Sequence, residues 1–480
     1  MKYFHSFFIA LILFTGLGVS NNSFAQHSKK AKQDTLRKNT HHHQKTPKIT
    51  SLREIFKYGH FHGHFRNYFM ATVNYEDLTD FYANGIGGLI EYETAEFYGF
   101  QFALSGLVIF NLFSSDFTEL DEITNKHSRY ELELFDVEDP NNRSELDRFD
   151  ELYIQYRFKN SRIRFGKQGI KTPLMNKQDT RMKPYVLEGI WTDLNPSNHL
   201  KINAGWFYKA SVRATTEWTS LEESIGIYEQ GFNPDGSPSH YKHHLKTKGV
   251  GVFGLTYSQS TRLKSQIWNY WIENISTSTF LQADFSFPLK HDHEFLLGAQ
   301  LLRQQTLQDG GNSHLEQTYF QPNQENYVYS FQVGWRSKIS ELTLNYQKAD
   351  QNGRFTFPRE WGREHFYTTV SRGRIEGMGN VQTVMAIWKY KPSQKTFFQL
   401  DLGHVFAPKH TDYEFNKYGN VENTHLNIHA RYHFDKKWDG LQFGFLYTHK
   451  RATDNFDDNL APLYYNANYH HFNFVTNIKF

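Results

Sequence analysis

The sequence predicts a membrane-spanning, antiparallel, all-β barrel of about eighteen strands with an inward-folded constriction loop. Three observations carry that prediction. The chain begins with an export leader, apolar and polar residues alternate at period two, and the connections are short and long by turns.

The leader comes first. Lys2 supplies the positive start, Phe7 to Leu17 is almost wholly apolar, and Ser23-Phe24-Ala25 offers small residues before a cleavage point at Gln26. That run is too short, with these flanks, for a spanning helix, so residues 1–25 read as a signal peptide. Residues 26–50 are rich in Lys, Gln and Thr and read as a flexible polar arm, with His41-His42-His43 as a solvated tract. The barrel is expected over 51–480 as one domain.

Mean hydropathy is −0.66, which alone suggests a soluble protein. A barrel escapes that reading because only alternate residues meet lipid. Aromatic residues make up 17% of the chain, and cysteine is absent despite export, since a closed sheet pairs its own backbone without disulfides. The net charge of +3 is nearly balanced and predicts no nucleic-acid partner.

Alternation is clearest at the two ends of the barrel. Phe61, Gly63, Phe65, Phe69 and Ala71 share one face; His60, His62, His64, Arg66 and Tyr68 share the other. Leu426, Ile428, Ala430, Tyr432 and Phe434 alternate with His425, Asn427, His429, Arg431 and His433. In the first half, strands are expected near 60–72, 85–95, 97–110, 149–158, 161–169, 186–194, 199–211, 247–257 and 262–274. In the second half they are expected near 278–289, 293–305, 326–336, 340–348, 379–390, 396–407, 423–434, 440–450 and 468–480. Tight turns such as Lys159–Ser161 and Ser337–Ser340 alternate with long polar segments near 111–148, 214–246, 306–325, 349–378, 408–422 and 451–467. A soluble sandwich has no reason to sort its connections this way; a tube with short turns at one end and long loops at the other does. The final strand places Phe472, Phe474, Ile478 and the terminal Phe480 on one face, as the closing strand that barrel-assembly machinery reads.

Three constellations are candidate functional groups. The segment Gly169 to Tyr185 breaks the alternation, and Pro173 and Pro184 bar it from a central ladder. Folded inward, its Thr172, Pro173, Asn176, Asp179, Arg181 and Lys183 form a constriction whose charges meet the solute. Parity places Arg66, Arg157, Arg162, Arg164, Arg303, Arg336 and Arg431 on the lumen face. Such guanidiniums either guide carboxylates or pair with wall acids such as Glu91, Glu93 and Glu151. Finally, Arg359-Glu360-Trp361 and Arg363 lie in an outer segment too dense in aromatic and ionic residues for a disordered loop, expected to pack over or into the pore mouth. No H-E-x-x-H, P-loop, calcium-loop or dinucleotide pattern appears, so neither a metal nor a cofactor is expected. His365 beside Glu364 lacks a serine nucleophile in a motif context and reads as a structural histidine.

These same residues resemble the OprD-type outer-membrane porins. The resemblance runs through Ser51-Leu52-Arg53-Glu54-Ile55-Phe56-Lys57, Gly63, Arg66-Asn67-Tyr68 and Arg164-Phe165-Gly166-Lys167-Gln168. It continues in Thr172-Pro173-Leu174, Asp179-Thr180-Arg181-Met182, Gln266-Ile267-Trp268-Asn269-Tyr270 and Pro358-Arg359-Glu360-Trp361-Gly362-Arg363. It implies an eighteen-stranded barrel, monomeric or loosely associated, in the bacterial outer membrane, passing small and often carboxylate-bearing solutes. It further implies that Asp179 and Arg181 belong to the constriction and Arg164 to the strand leading to it. The histidine-rich lumen face (His60, His62, His64, His425, His429 and His433) departs from that pattern. The expected function is passive, partly selective diffusion of small hydrophilic solutes, not catalysis. The expected partners are those solutes, the lipid bilayer with its lipopolysaccharide, and the assembly machinery through Phe480. A barrel blocked by its own loops, serving a structural or adhesive role, is the alternative; an outer-membrane hydrolase is a weaker one.

Overall fold

Alternation at period two dictates long strands here, because one face of each must meet lipid and the other the barrel interior. The computed structural model describes residues 49–177, 181–260, 262–456 and 459–480. The leader, most of the polar arm and Asp179 lie outside the described residues. The first strands are β1 (His60–Val73), β2 (Phe81–Glu93), β3 (Phe100–Ser114), β4 (Arg148–Phe158), β5 (Ser161–Gln168) and β6 (Val186–Leu194). Then come β7 (Leu200–Ser211), β8 (Val250–Gln259), β9 (Leu263–Ile272), β10 (Ser276–Pro288), β11 (Glu294–Thr306) and β12 (Glu325–Arg336). The last are β13 (Ser340–Ala349), β14 (Gln382–Tyr390), β15 (Thr396–Phe406), β16 (Asn423–His433), β17 (Leu441–Ala452) and β18 (Tyr469–Lys479). The sheet has 19 strands among the described residues; one is the two-residue Thr219–Ser220 beside β7, and the other eighteen form the wall.

Every neighbour pair along the wall is antiparallel, and β18 closes on β1 through Phe69↔Phe474 and Phe65↔Ile478. Gly63 and Phe480 exchange backbone bonds of 3.0 and 3.1 Å, so the terminal aromatic is stitched into the seam. Closure leaves no edge to aggregate or to face lipid unpaired. Before β1 a single helical turn, α1 (Leu52–Lys57), is capped by Ser51 and bonds the β2–β3 turn through Ala95 N–H to Ile55 O at 2.9 Å.

Outward faces are apolar and aromatic, with Phe61, Phe65, Phe253, Phe331, Leu344 and Leu402 exposed. Near the turn end, Phe287, Phe295, Trp335, Trp388 and Tyr156 form an aromatic girdle. The interior is not uniformly polar. At the loop end, inward residues Phe280, Leu302 and Val328 pack with Phe355, Phe357, Trp361 and Phe366 of loop 350–381. A second apolar core joins Met70, Phe81 and Ile109 of β1–β3 to Leu134 and Phe135 of loop 115–147 and to Leu463 and Tyr465 of loop 453–468. The long loops therefore share apolar cores with inward-facing strand residues.

Candidate functional site

The basic wall grows directly from strand parity. Residues of β4 and β5 at alternate positions face inward, and register sets Arg157 opposite Arg162 and Gln155 opposite Arg164. Asp193 of β6 is the next inward residue, opposite Arg162. Its carboxylate meets Arg162 at 2.8 Å, Arg164 at 3.8 Å and Lys201 of β7 at 3.4 Å, and it accepts from Asn203 at 2.6 Å. Three cations thus share one acid, leaving the patch net positive. Arg164 also lies over the Tyr153 ring at 5.5 Å, and Arg157 extends the row towards the turn end, 3.7 Å from Glu96. Sequence reading passed over Asp193 as a strand-end residue; its parity with Arg162 was the available signal.

The other arginines divide. Arg66 points inward and donates to Asn477 Oδ1 at 2.7 Å and to the Arg181 carbonyl at 2.6 Å. Arg336 faces the lumen near the turn end, held between Glu341 at 2.7 Å and Glu294 at 3.1 Å. Arg431 stacks its guanidinium over Phe397 at 4.9 Å. Arg303 does not face the lumen as parity predicts: it shares the outward face of β11 with Phe295 and Leu297, and pairs outside the barrel with Glu325 at 2.8 Å. The inward neighbours there are Leu302 and Gln304, both buried beneath loop 350–381.

Loop 169–185 packs against inward side chains. Thr172 starts a tight turn whose N–H donates to Met175 O at 2.9 Å, and Tyr270 of β9 donates its hydroxyl to Thr172 Oγ1 at 2.9 Å. Pro173 and Asn176 face loop 350–381: His365 N–H donates to Pro173 O at 3.1 Å, and Asn176 Nδ2 to Arg363 O at 2.9 Å. The loop thus reaches β9 by Thr172 and β1 by the Arg181 carbonyl. The side chains of Arg181 and Lys183 do not meet the lumen as expected. Arg181 is buried and ion-paired with Glu133, which also holds Arg213. Lys183 is buried and donates to Phe135 O at 2.8 Å, and burial first, then Arg148, pushes its ammonium down to about 7. Glu133 and Phe135 sit in loop 115–147, which nothing near 181–183 in the sequence announces.

Loop 350–381 is also tied to inward side chains. Trp361 is fully buried and donates to Ser224 Oγ at 2.8 Å; Glu360 accepts from the N–H groups of Gly226 and Tyr228 at 3.0 and 3.1 Å. Arg359 pairs with Glu376 at 3.0 Å over the Tyr418 ring. Further along, Tyr367 donates to Asp284 of β10 at 2.6 Å, and Gln300 of β11 bonds both His365 O and Tyr367 N–H. Arg372 reaches β18, contacting His471 Nε2 at 2.8 Å and Asn473 Oδ1 at 3.3 Å. The histidine-rich face also divides: His425 is buried against Gly373 of this loop, and His429 lies 3.3 Å from Asp401. Arg372 escaped the sequence reading because a loop side chain carries no parity.

The family model for outer membrane porins of the OprD family matches residues 111–374. That span holds the basic wall, loop 169–185 and most of loop 350–381. The chain belongs to the OprD family. Comparison with curated proteins gives no match. Among solved structures, Pseudomonas aeruginosa OccK8 (OprE) is 14% identical with a TM-score of 0.67, over 89% of this chain and 99% of that one. The Pseudomonas aeruginosa OpdK structure with vanillate is 13% identical with a TM-score of 0.65, over 89% and 99%. Acinetobacter baumannii OccAB1 is 11% identical with a TM-score of 0.67, over 89% and 98%. At these identities the likeness establishes the fold, an eighteen-stranded porin barrel. As an OprD-family porin, the protein resides in the bacterial outer membrane and is a channel protein, not an enzyme.

Proposed function

We propose that this OprD-family porin passes small solutes bearing a carboxylate, drawn along the basic wall of β4–β7 and admitted between the inward loops. The observation that carries the reading is Asp193 shared by Arg162, Arg164 and Lys201. A passing carboxylate finds guanidinium charge there that the wall itself does not neutralise, in the planar geometry that carboxylates bind best. The solved OpdK structure carries vanillate, a property of that protein that agrees with this choice of solute. Loop 169–185, including Thr172, Pro173, Asn176 and Asp179, then forms the narrowing, with Arg181 and Lys183 acting as its internal braces. Copies of the barrel associate loosely or not at all in this reading.

A second reading rests on the loop contacts. Asn176 to Arg363, His365 to Pro173 and Arg372 to His471 tie the loops to one another and to the wall. Such ties would suit a barrel closed at rest. Liposome swelling separates the two readings: small monocarboxylates should enter proteoliposomes faster than neutral amides of the same size. Equal, leak-level rates for both would remove the carboxylate reading and favour the closed barrel.

A further inference from the structure

The wall has an outward counterpart to its inner charges. On β15–β18, register places outward residues in rows. One row runs Phe398, Ala430, Phe445, Phe474, Phe69, and the next towards the loops runs Leu400, Ile428, Tyr447, Phe472, Ala71. One step further the row reads Leu402, Leu426, His449, His470, Val73, and beyond it His404, Thr424, Arg451. The lipid-facing surface therefore changes from apolar to basic within two rows, at the loop end. A bilayer changes in the same sense along its normal, from acyl chain to headgroup.

The basic groups are oriented for an external partner. The His449 and His470 rings stack at 4.5 Å with 15° between planes. His449 Nδ1 bonds the Tyr469 carbonyl at 2.9 Å and His470 Nδ1 meets the Tyr447 hydroxyl at 2.7 Å, so each Nε2 is left available. Arg451 is exposed and has no ion-pair partner among the described residues. Among the described residues, Glu422 is the acid paired within this patch, and it lies on His404 at 3.3 Å. A phosphate lying over both stacked rings meets the two Nε2 edges at once. A guanidinium two residues along the same face supplies the bidentate grip that phosphate takes.

We infer that His449, His470 and Arg451 form a binding site for the phosphate of an outer-leaflet lipid headgroup, seated with its acyl chains against Tyr447, Phe472 and Leu426. The occupant is a lipid, not free phosphate, because the apolar rows continue directly below the basic one and give the chains a surface to lie on. The site is independent of the lumen reading.

Native mass spectrometry of the full-length barrel, loaded with bisphosphorylated lipid A or with its dephosphorylated form, tests it. The parent should retain the phosphorylated lipid about tenfold more than the other. The folded variant carrying Arg451→Ala, His449→Gln and His470→Gln, checked by heat-modifiable gel mobility, should lose that preference. Equal retention of both lipids by the parent, or undiminished preference in the folded variant, overturns the site. So does displacement of the lipid by millimolar inorganic phosphate, which would mark a free-anion site instead.

Discussion

Replacing Arg162 and Arg164 by Gln removes two of the three cations around Asp193, so the local charge falls from about +2 to about 0. A carboxylate about 4 Å from one unit charge gains about 1 kcal/mol in a water-like medium and about 4 kcal/mol at an effective dielectric of 20. Arg162 is substantially exposed and contributes at the wet limit; taking the same lower value for the largely buried Arg164, the two charges together contribute about 2 kcal/mol. That corresponds to roughly thirtyfold weaker block of single-channel current by a small monocarboxylate. Gln keeps a stem against Tyr153, so the wall packing survives. The neutral amide of the same solute is the control and should block parent and variant alike. The difference should shrink in about 1 M salt, where charges are screened beyond about 3 Å. If the carboxylate blocks both proteins equally at low salt, the basic wall does not select the solute.

Three other outcomes follow from the loops. Tyr367→Phe removes the hydroxyl bond to Asp284, a charge-assisted contact of about 1.5–3 kcal/mol, and should raise open-channel current noise as loop 350–381 loosens. Trp361→Ala empties a buried site and loses the bond to Ser224; a cost of about 3–5 kcal/mol should appear as earlier unfolding in urea. Lys183 has a folded-state value of about 7, below its unfolded one, so folding favours the neutral amine. Its contribution is full above about 10.5 and falls as pH drops towards about 7. Against Lys183→Met, the parent's unfolding midpoint should therefore improve between pH 7 and pH 10; parallel curves would count against the buried neutral amine.

Lipid on one side and interior on the other impose a period the sequence has to show, which is why the strands, their number and the alternation of loops and turns were legible. Arg157, Arg162 and Arg164 were legible for the same reason, each standing out on the face opposite exposed Phe158 and Phe165. Arg303 misled because the polarity rule inverts at the loop end. There the inward face, at Leu302 and Val328, packs on loop 350–381, while the outward face turns polar, with Arg303 and Tyr327 both bound to Glu325. Arg181 and Lys183 looked like pore charges because their partners, Glu133 and Phe135, lie in a different loop, and no local pattern encodes a contact between loops.

Selective diffusion requires an aqueous path past these loops, and the refolded barrel in a planar bilayer shows whether one exists. Discrete, ohmic single-channel steps that are partially blocked by a monocarboxylate are the predicted result. A flat baseline from protein shown to be folded and inserted would contradict it.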